Sequence, residues 1–504
     1  MQKNTKLFTV GAVVGAVSMT SGFAQSNSPT PSEQRMNVLF LISDDMRADL
    51  HVYGHEIAKT PNLDWLASEG VRFERAYCQY PLSCPSRSSL LSGRRPTTSG
   101  LYSNREWFGA SYPDWVSLPK YFKQNGYAAL RTGKIFHGGI DDTDAWTEGG
   151  EARQFSNPVN TDPPSYVSPA EYYAPIQRRI PKITPGADPQ GNIASDRWEA
   201  VEGEAALQLG DTRVGDKAIE YIRRSKETGE PFFIACGFSK PHTPFVAPKE
   251  FFDLYSVEDI KLPPDFASLP MAPPGFPVAS IRPNNADMFI GRSAFYGEAR
   301  EMILAYLACI SYVDWNVGRV IDELERQGLR ENTIIVFWGD HGYQLGEKGK
   351  WSKAGSLWEQ GTRVPLIIHD PRAKGNGTAS LRTVELIDLY PTLADLCGLP
   401  KQEELEGASL APLLDNPLLE WNRPAYTVWN ERGKGITGVS VRTERWRYAE
   451  FFGVGAGAYL TDPINDPYEL RNLIYDSQYK DVVVELHKLA TEYVAGKTEL
   501  AAPE

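Results

Sequence analysis

The sequence predicts an α/β fold, a large and mostly parallel sheet sandwiched by helices, with a smaller C-terminal α+β domain. Three observations predict it. Short apolar runs alternate with amphipathic stretches along most of the chain, the pattern of strands buried on both faces by crossover helices. Several of these runs end in charged residues, at the strand ends where such sheets collect their ligands. After residue 420 the alternation gives way to closely spaced short strands and one closing helix.

Taken in order, residues 36–42 form an apolar run ending in Ser43-Asp44-Asp45, a buried strand that delivers carboxylates at its C-terminal end. Thr60-Pro61 opens a helix and Gly70 ends it, since proline suits the first helical turn and glycine the stop. A helix over 118–124 stops at Asn125-Gly126, and a strand over 127–131 follows. The spacing next predicts a helix over 218–224 and a strand over 232–237. A long amphipathic helix over 299–327 then precedes strands over 333–338 and 366–369, with a helix over 384–396. Beyond a boundary at 415–423, short strands are expected over 425–429, 438–442 and 446–449, and a helix over 482–494. Two proline-rich stretches, 155–189 and 262–283, carry no periodicity and are expected to be ordered loops around the ligand site.

The N-terminus has the composition of an export signal. Lys3 and Lys6 precede an apolar run over 7–17, and Gly22-Phe23-Ala24 offers a small-residue cleavage site. That run is shorter than the roughly 20 residues of a membrane span. The expected organisation is a signal peptide over 1–24, a flexible lead-in over 25–35, a main domain over 36–420 and the small domain over 421–504. The net charge of −12 argues against a nucleic-acid partner, so an anionic ligand needs a local basic pocket. The five cysteines show neither a disulfide framework nor a zinc pattern. Cys236 and Cys309 fall in apolar runs as small hydrophobes, and a Cys78–Cys84 bridge is not expected.

Two strand ends carry Asp44-Asp45 and Asp340-His341-Gly342. Converging carboxylates from separate strands repel one another unless a cation lies between them. Lys134 and His137 follow the strand over 127–131, and His242 sits between Pro241 and Pro244 in a stiff turn. His51, His55, His369 and His487 fall outside these clusters and read as structural or surface residues.

Ser83-Cys84-Pro85-Ser86-Arg87, continued by Gly93-Arg94-Arg95, resembles the signature of the type I sulfatases. In that signature a Cys or Ser stands two residues before Pro and four before Arg; Ser83 meets both offsets and Cys84 neither. The resemblance implies an alkaline-phosphatase-like fold and conversion of Ser83 to formylglycine. A serine sulfate would be a stable dead end, whereas a hydrated aldehyde has a second hydroxyl whose collapse expels sulfate. It further implies Arg87, Lys134, His137, His242 and Lys353 as catalytic residues. Lys134 and Lys353 would hold sulfate oxygens, His137 would trigger sulfate release, and His242 would assist the leaving alcohol. Asp44, Asp45, Ser83, Asp340 and His341 would hold one Ca2+, with Mg2+ as the alternative ion.

Within the family the chain is most similar to the iduronate-2-sulfatase branch, through Asp44-Asp45-Met46-Arg47, Gly133-Lys134-Ile135-Phe136-His137 and Lys240-Pro241-His242-Thr243-Pro244-Phe245. Asp340-His341-Gly342-Tyr343 and Asp466-Pro467-Tyr468-Glu469 add to it. Serine in place of cysteine implies a bacterial radical maturase as partner, and a periplasmic or secreted enzyme. The implied substrate is a sulfated oligosaccharide attacked from its end, with a 2-O-sulfated uronate as the leading candidate. Two alternatives stay open. One is a phosphate or phosphonate ester hydrolase using unmodified Ser83; the other is a non-catalytic calcium-dependent glycan-binding protein.

Overall fold

The computed structural model describes residues 35–151, 153, 197–431 and 435–498. The expected signal segment over 1–24, the expected lead-in as far as residue 34 and the proline-rich stretch 155–189 lie outside the described residues. The strands run β1 (Asn37–Asp44), β2 (Val71–Tyr77), β3 (Ala128–Gly133), β4 (Trp198–Val201), β5 (Phe232–Pro241), β6 (Phe245–Pro248) and β7 (Thr333–Gly339). They continue as β8 (Arg363–Val364), β9 (Leu366–His369), β10 (Ala379–Glu385), β11 (Ala425–Trp429), β12 (Gly438–Arg442), β13 (Arg447–Phe451) and β14 (Gly457–Thr461). The helices that shape the core are α1 (Pro61–Glu69), α2 (Ser83–Ser92), α3 (Leu118–Gln124), α4 (Gly210–Thr228), α5 (Tyr296–Arg326), α6 (Leu389–Leu396) and α7 (Lys480–Tyr493).

The main sheet has eight strands in the order β10-β2-β9-β7-β1-β5-β3, with β8 paired to β2. β1 pairs in parallel with both β5 and β7, β3 with β5, and β10 with β2. Only β8 and β9 run antiparallel to their neighbours. The carboxyl ends of β1, β2, β3, β5 and β7 therefore share one edge of the sheet. A four-stranded antiparallel sheet, β11-β12-β13-β14, follows.

The alternation of β1 shows how the sheet is held. Leu39 and Leu41 join one apolar cluster with α1, α4 and α5. Val38, Phe40 and Ile42 join a second, with Leu90 and Leu91 of α2, Phe122 of α3 and Leu393 of α6. Successive side chains of a strand point to opposite faces, so a continuously apolar strand buries both. A third cluster packs α7 on the antiparallel sheet and takes in Tyr80, Phe276, Leu357 and Trp358 from earlier in the chain. Among the described residues no helix is long and apolar enough to cross a membrane.

Several boundaries differ from the sequence expectation. The helix expected over 384–396 begins only at Leu389, because Ala379–Glu385 is strand β10. Glu385 and Asp388 cap each other across the short turn between them, a reciprocal pairing that satisfies donors at a helix start. β2 and β14 lie outside the expected strands, and α4 starts at Gly210, well before the helix expected over 218–224. The stretch 262–283 is a loop with one short helical turn, Val278–Ser280.

The start of α1 has no cap of its own, since Thr60 makes no side-chain cap bond. Asp314 of α5 takes its place. Its Oδ1 accepts from Leu63 N at 2.7 Å, and its Oδ2 from Asn62 N at 3.2 Å and Asn62 Nδ2 at 2.8 Å. Helix N-termini leave backbone donors that need such partners. Asp314→Ala should therefore destabilise the fold by about 1–2 kcal/mol, the cost of a lost cap, read from the midpoint of urea unfolding.

Candidate active site

The site lies at the shared carboxyl edge of the main sheet. β1 ends at Asp44, and Asp45 turns with φ 60, a left-handed conformation that aspartate tolerates better than most residues. β7 ends at Gly339, where a Cβ would meet Met46 O at 2.4 Å. Only glycine lets these two strand ends close up and bring Asp340 beside Asp45. Asp340 Oδ1 then accepts from Asp45 N and His341 N, each at 3.0 Å.

α2 starts at Ser83 and is buried on every side despite its serines and Arg87. Ser83, Ser86 and Arg87 spend their polar groups on the site. Ser86 Oγ donates to Asp340 O at 2.5 Å. Arg87 is fully buried and donates from Nε to Asp340 Oδ2 at 2.9 Å and from Nη2 to Asp44 Oδ1 at 3.1 Å. Its Nη1 reaches Lys134 O at 2.6 Å and Ile135 O at 2.9 Å. One guanidinium thus joins α2 to the ends of β1, β3 and β7. Ser83 Oγ lies 3.1 Å from Asp44 Oδ1 and 3.0 Å from His341 Nε2.

The other expected residues converge on the same place. Lys134, after β3, pairs with Asp44 through its Nζ. Lys353 Nζ donates to Asp45 Oδ2 at 2.9 Å and sits 3.3 Å from His242 Nε2. His242 Nδ1 is 2.7 Å from Thr243 O. A carbonyl only accepts, so Nδ1 carries the proton and Nε2 presents its lone pair. His137 is half-buried, and its Nδ1 has no hydrogen-bond partner.

The charges sort themselves accordingly. Burial alone would raise Asp44, but Lys134 and Arg87 outweigh it and hold the carboxyl well below its ordinary range. Burial, reinforced by Lys134, pulls His137 well below the ordinary histidine value. Burial and Lys353 pull His242 down to about 3. Both imidazoles are neutral bases rather than cations.

Asp44, Asp45, Asp340 and His341 each bring a ligand atom within 4.8 Å of the others, all four buried. Asp45 Oδ1 has no hydrogen-bond donor and lies 3.4 Å from His341 Nε2. His341 Nδ1 is engaged with Gly342 O at 2.9 Å, which turns the Nε2 lone pair toward the carboxylates. An oxygen-rich donor set with an orphaned carboxylate oxygen fits a hard divalent cation.

Three contributors had no signal in the sequence. Asp287 ion-pairs with Lys353 at 3.4 Å. Asp211 accepts from Ser239 N at 2.8 Å and Lys240 N at 2.9 Å, fixing the end of β5 that leads to His242. Cys84 anchors the start of α2, its N bonded to Asn104 Oδ1 at 3.0 Å and its thiol to Glu106 O at 3.2 Å. All three contacts join residues whose spacing follows no local period. The five cysteines are free, and Cys236 and Cys309 are buried as expected.

Fold and site together define a hydrolase of anionic esters, with a hydroxyl, a carboxylate cluster that fits a cation and basic residues at the carboxyl edge of a parallel sheet. The chain belongs to the sulfatase family: the Sulfatase family model matches residues 36–399, and that of N-sulphoglucosamine sulphohydrolase, C-terminal, matches 346–495. It is a sulfuric ester hydrolase. Human iduronate 2-sulfatase is 32% identical to it over 565 aligned residues, covering 94% of this chain and 97% of the human one. A structure described as a complex with its substrate D-glucosamine-2-N,6-O-disulfate superposes with a TM-score of 0.68 at 21% identity, covering 91% of this chain and 97% of that one. The phosphonate monoester hydrolase of Agrobacterium radiobacter gives 0.69 at 23% identity, covering 92% and 96%. At such identities the two structures establish the shared fold.

Removing the guanidinium would leave Asp44 and Asp340 buried without their partner. Arg87→Met should cost about 3–5 kcal/mol of stability, the range for breaking a buried ion pair. Urea unfolding in the presence of EDTA measures it, since a bound cation would mask part of the loss.

Proposed function

We propose that the chain removes sulfate from the end of a sulfated oligosaccharide, with a 2-O-sulfated uronate as the preferred unit, through a formylglycine made from Ser83. The observation that carries this reading is the position of Ser83 Oγ. It stands at the start of a buried helix, 3.1 Å from Asp44 and 3.0 Å from His341, inside the cluster suited to a cation. The match to human iduronate 2-sulfatase across nearly the whole of both chains supports the uronate.

In this reading Asp44, Asp45, Ser83, Asp340 and His341 hold one Ca2+, which when bound supplies positive charge to an ester oxygen. Formylglycine supplies a nucleophile that regenerates itself after sulfate departs. The remaining work belongs to the chain. Arg87 holds Asp44 ionised and bridges it to Asp340. Lys134 and Lys353, resting on Asp44 and Asp45, offer their ammonium protons to sulfate oxygens, so that charge developing in transfer meets fixed donors. His137, neutral and with an unpaired Nδ1, accepts the proton whose removal frees the sulfate. His242 has Nδ1 tied to Thr243 O, which aims Nε2 at Lys353 Nζ 3.3 Å away, and that ammonium supplies the proton the leaving oxygen receives.

The phosphonate hydrolase on the same fold favours a second reading, phosphate or phosphonate ester hydrolysis. Such hydrolysis by an unmodified serine generally draws on two metals. Among the described residues a single cluster of metal-ligating groups is found, which favours sulfate. The composition of residues 1–24 supports export, and the serine signature supports maturation by a bacterial radical enzyme.

The test is sulfate release by matured protein, with conversion of Ser83 confirmed by peptide mass. The panel pairs 2-O-sulfated uronate disaccharides with sulfated algal oligosaccharides and a phosphate ester. Release from the uronates is expected, and turnover of the phosphate ester alone would sink the proposal. Ser83→Ala should abolish release while leaving oligosaccharide binding intact. EDTA should abolish release reversibly, with Ca2+ restoring it, and added Ca2+ should raise the thermal midpoint as any ligand of the native state does.

A further inference from the structure

Asp287 comes from a loop with no strand or helix of its own, yet it is built into the site. Its neighbours clamp it against the segment that carries Lys353. Asn285 Oδ1 accepts from Trp351 N at 2.8 Å, Met288 N donates to Trp351 O at 3.4 Å, and the Phe289 and Trp351 rings lie 4.9 Å apart. Phe289 holds φ 51, a left-handed conformation uncommon for a bulky residue and maintained here by that packing. The side chain of Asp287 is 17% exposed, and its buried Oδ2 has no hydrogen-bond donor. Its compensation is Lys353 Nζ at 3.4 Å.

A carboxylate beside a lysine meant for an anion weakens that lysine's attraction. Its presence calls for a reason, and the charge count of the pocket supplies one. Asp44, Asp45, Asp340 and Asp287 face Arg87, Lys134 and Lys353. With a divalent cation in the cluster these groups total one positive charge. Lys350, which also feels the charge of Asp287, gives its Nζ to Asn284 O at 2.7 Å. Burial and Arg282 pull its amine down to about 7, so it adds little. A sulfate monoester carries one negative charge and balances the pocket. A phosphate monoester above its second ionisation carries two and leaves an uncompensated charge in a buried site, which is costly.

We propose that Asp287 is a specificity-determining residue, setting the pocket at one positive charge so that it selects a sulfate monoester over a phosphate monoester dianion. The inference rests on the reading that this pocket receives the charged end of the ester. It needs no contact between Asp287 and the substrate, because charges a few ångströms apart in a poorly solvated site act through the field.

The experiment measures binding rather than turnover. In full-length, Ca2+-loaded Ser83→Ala protein, 4-nitrophenyl sulfate and 4-nitrophenyl phosphate are titrated calorimetrically at mildly alkaline pH, and the ratio of the two Kd values is taken. The ratio is measured within one protein, so a misfolded fraction cancels. The parent should favour the sulfate ester. Adding Asp287→Asn should move the ratio roughly tenfold or more toward the phosphate ester, and Asp287→Glu should restore the parent ratio. A ratio unmoved by Asp287→Asn overturns the proposal, since a residue that only braces the loop would weaken both esters alike. A parent that binds neither ester, or prefers the phosphate, overturns the pocket assignment itself and this inference with it.

Discussion

The structure turns on one buried guanidinium. Arg87 has no exposed side-chain surface and spends its donors on Asp44, Asp340 and the carbonyls of Lys134 and Ile135. Those acceptors end three neighbouring regions of the sheet, so the pairing fixes the strand ends against each other. It also makes the carboxylate cluster tenable, since two like charges this deep would otherwise be driven to neutrality.

That constraint explains why a helix as polar as α2 can be buried on all sides. Ser83, Ser86 and Arg87 reach the site, while Leu90 and Leu91 enter the apolar layer behind it. Burial, reinforced by Lys134 at His137 and by Lys353 at His242, holds both imidazoles below the ordinary histidine value. Two neutral imidazoles thus stand near the Ser83 hydroxyl among Arg87, Lys134 and Lys353, an arrangement suited to an anionic ester.

The C-terminal sheet is tied to the site through its core. Trp358 stacks on Tyr459 of β14 at 4.4 Å, and Glu359 accepts from Arg447 of β13 at 2.6 Å. Burial opposes the ionised form of Glu359, but Arg442 and Arg447 outweigh it and hold the carboxyl below its usual range. The segment that follows Lys353 is therefore braced by the last strands of the chain, and Arg35–Glu504 forms one compact unit. Tyr80, three residues before Ser83, packs its ring at a tilt against Trp429 at the end of β11, so both flanks of the site lean on the same small sheet.

The sequence by itself determined the elements with a strong period and the residues whose chemistry repeats a known motif. β1, β7 and β9 are built on apolar runs, α3 has its asparagine-glycine stop, and β11 and β12 are short strands beyond the boundary at 415–423; each was legible because local composition and end signals act over a few residues. Ser83, Arg87, Lys134, His137, His242, Asp340 and Lys353 were legible through motif spacing, and the fold brings them together. Tertiary structure alone decided the rest. The strand order, the reversal of β9, the capping of α1 by Asp314 and the placing of Asp287 against Lys353 all join residues far apart in the chain. Such pairings are selected by the free energy of packing and of compensated buried charge, a property of the assembled core that no stretch of sequence carries alone.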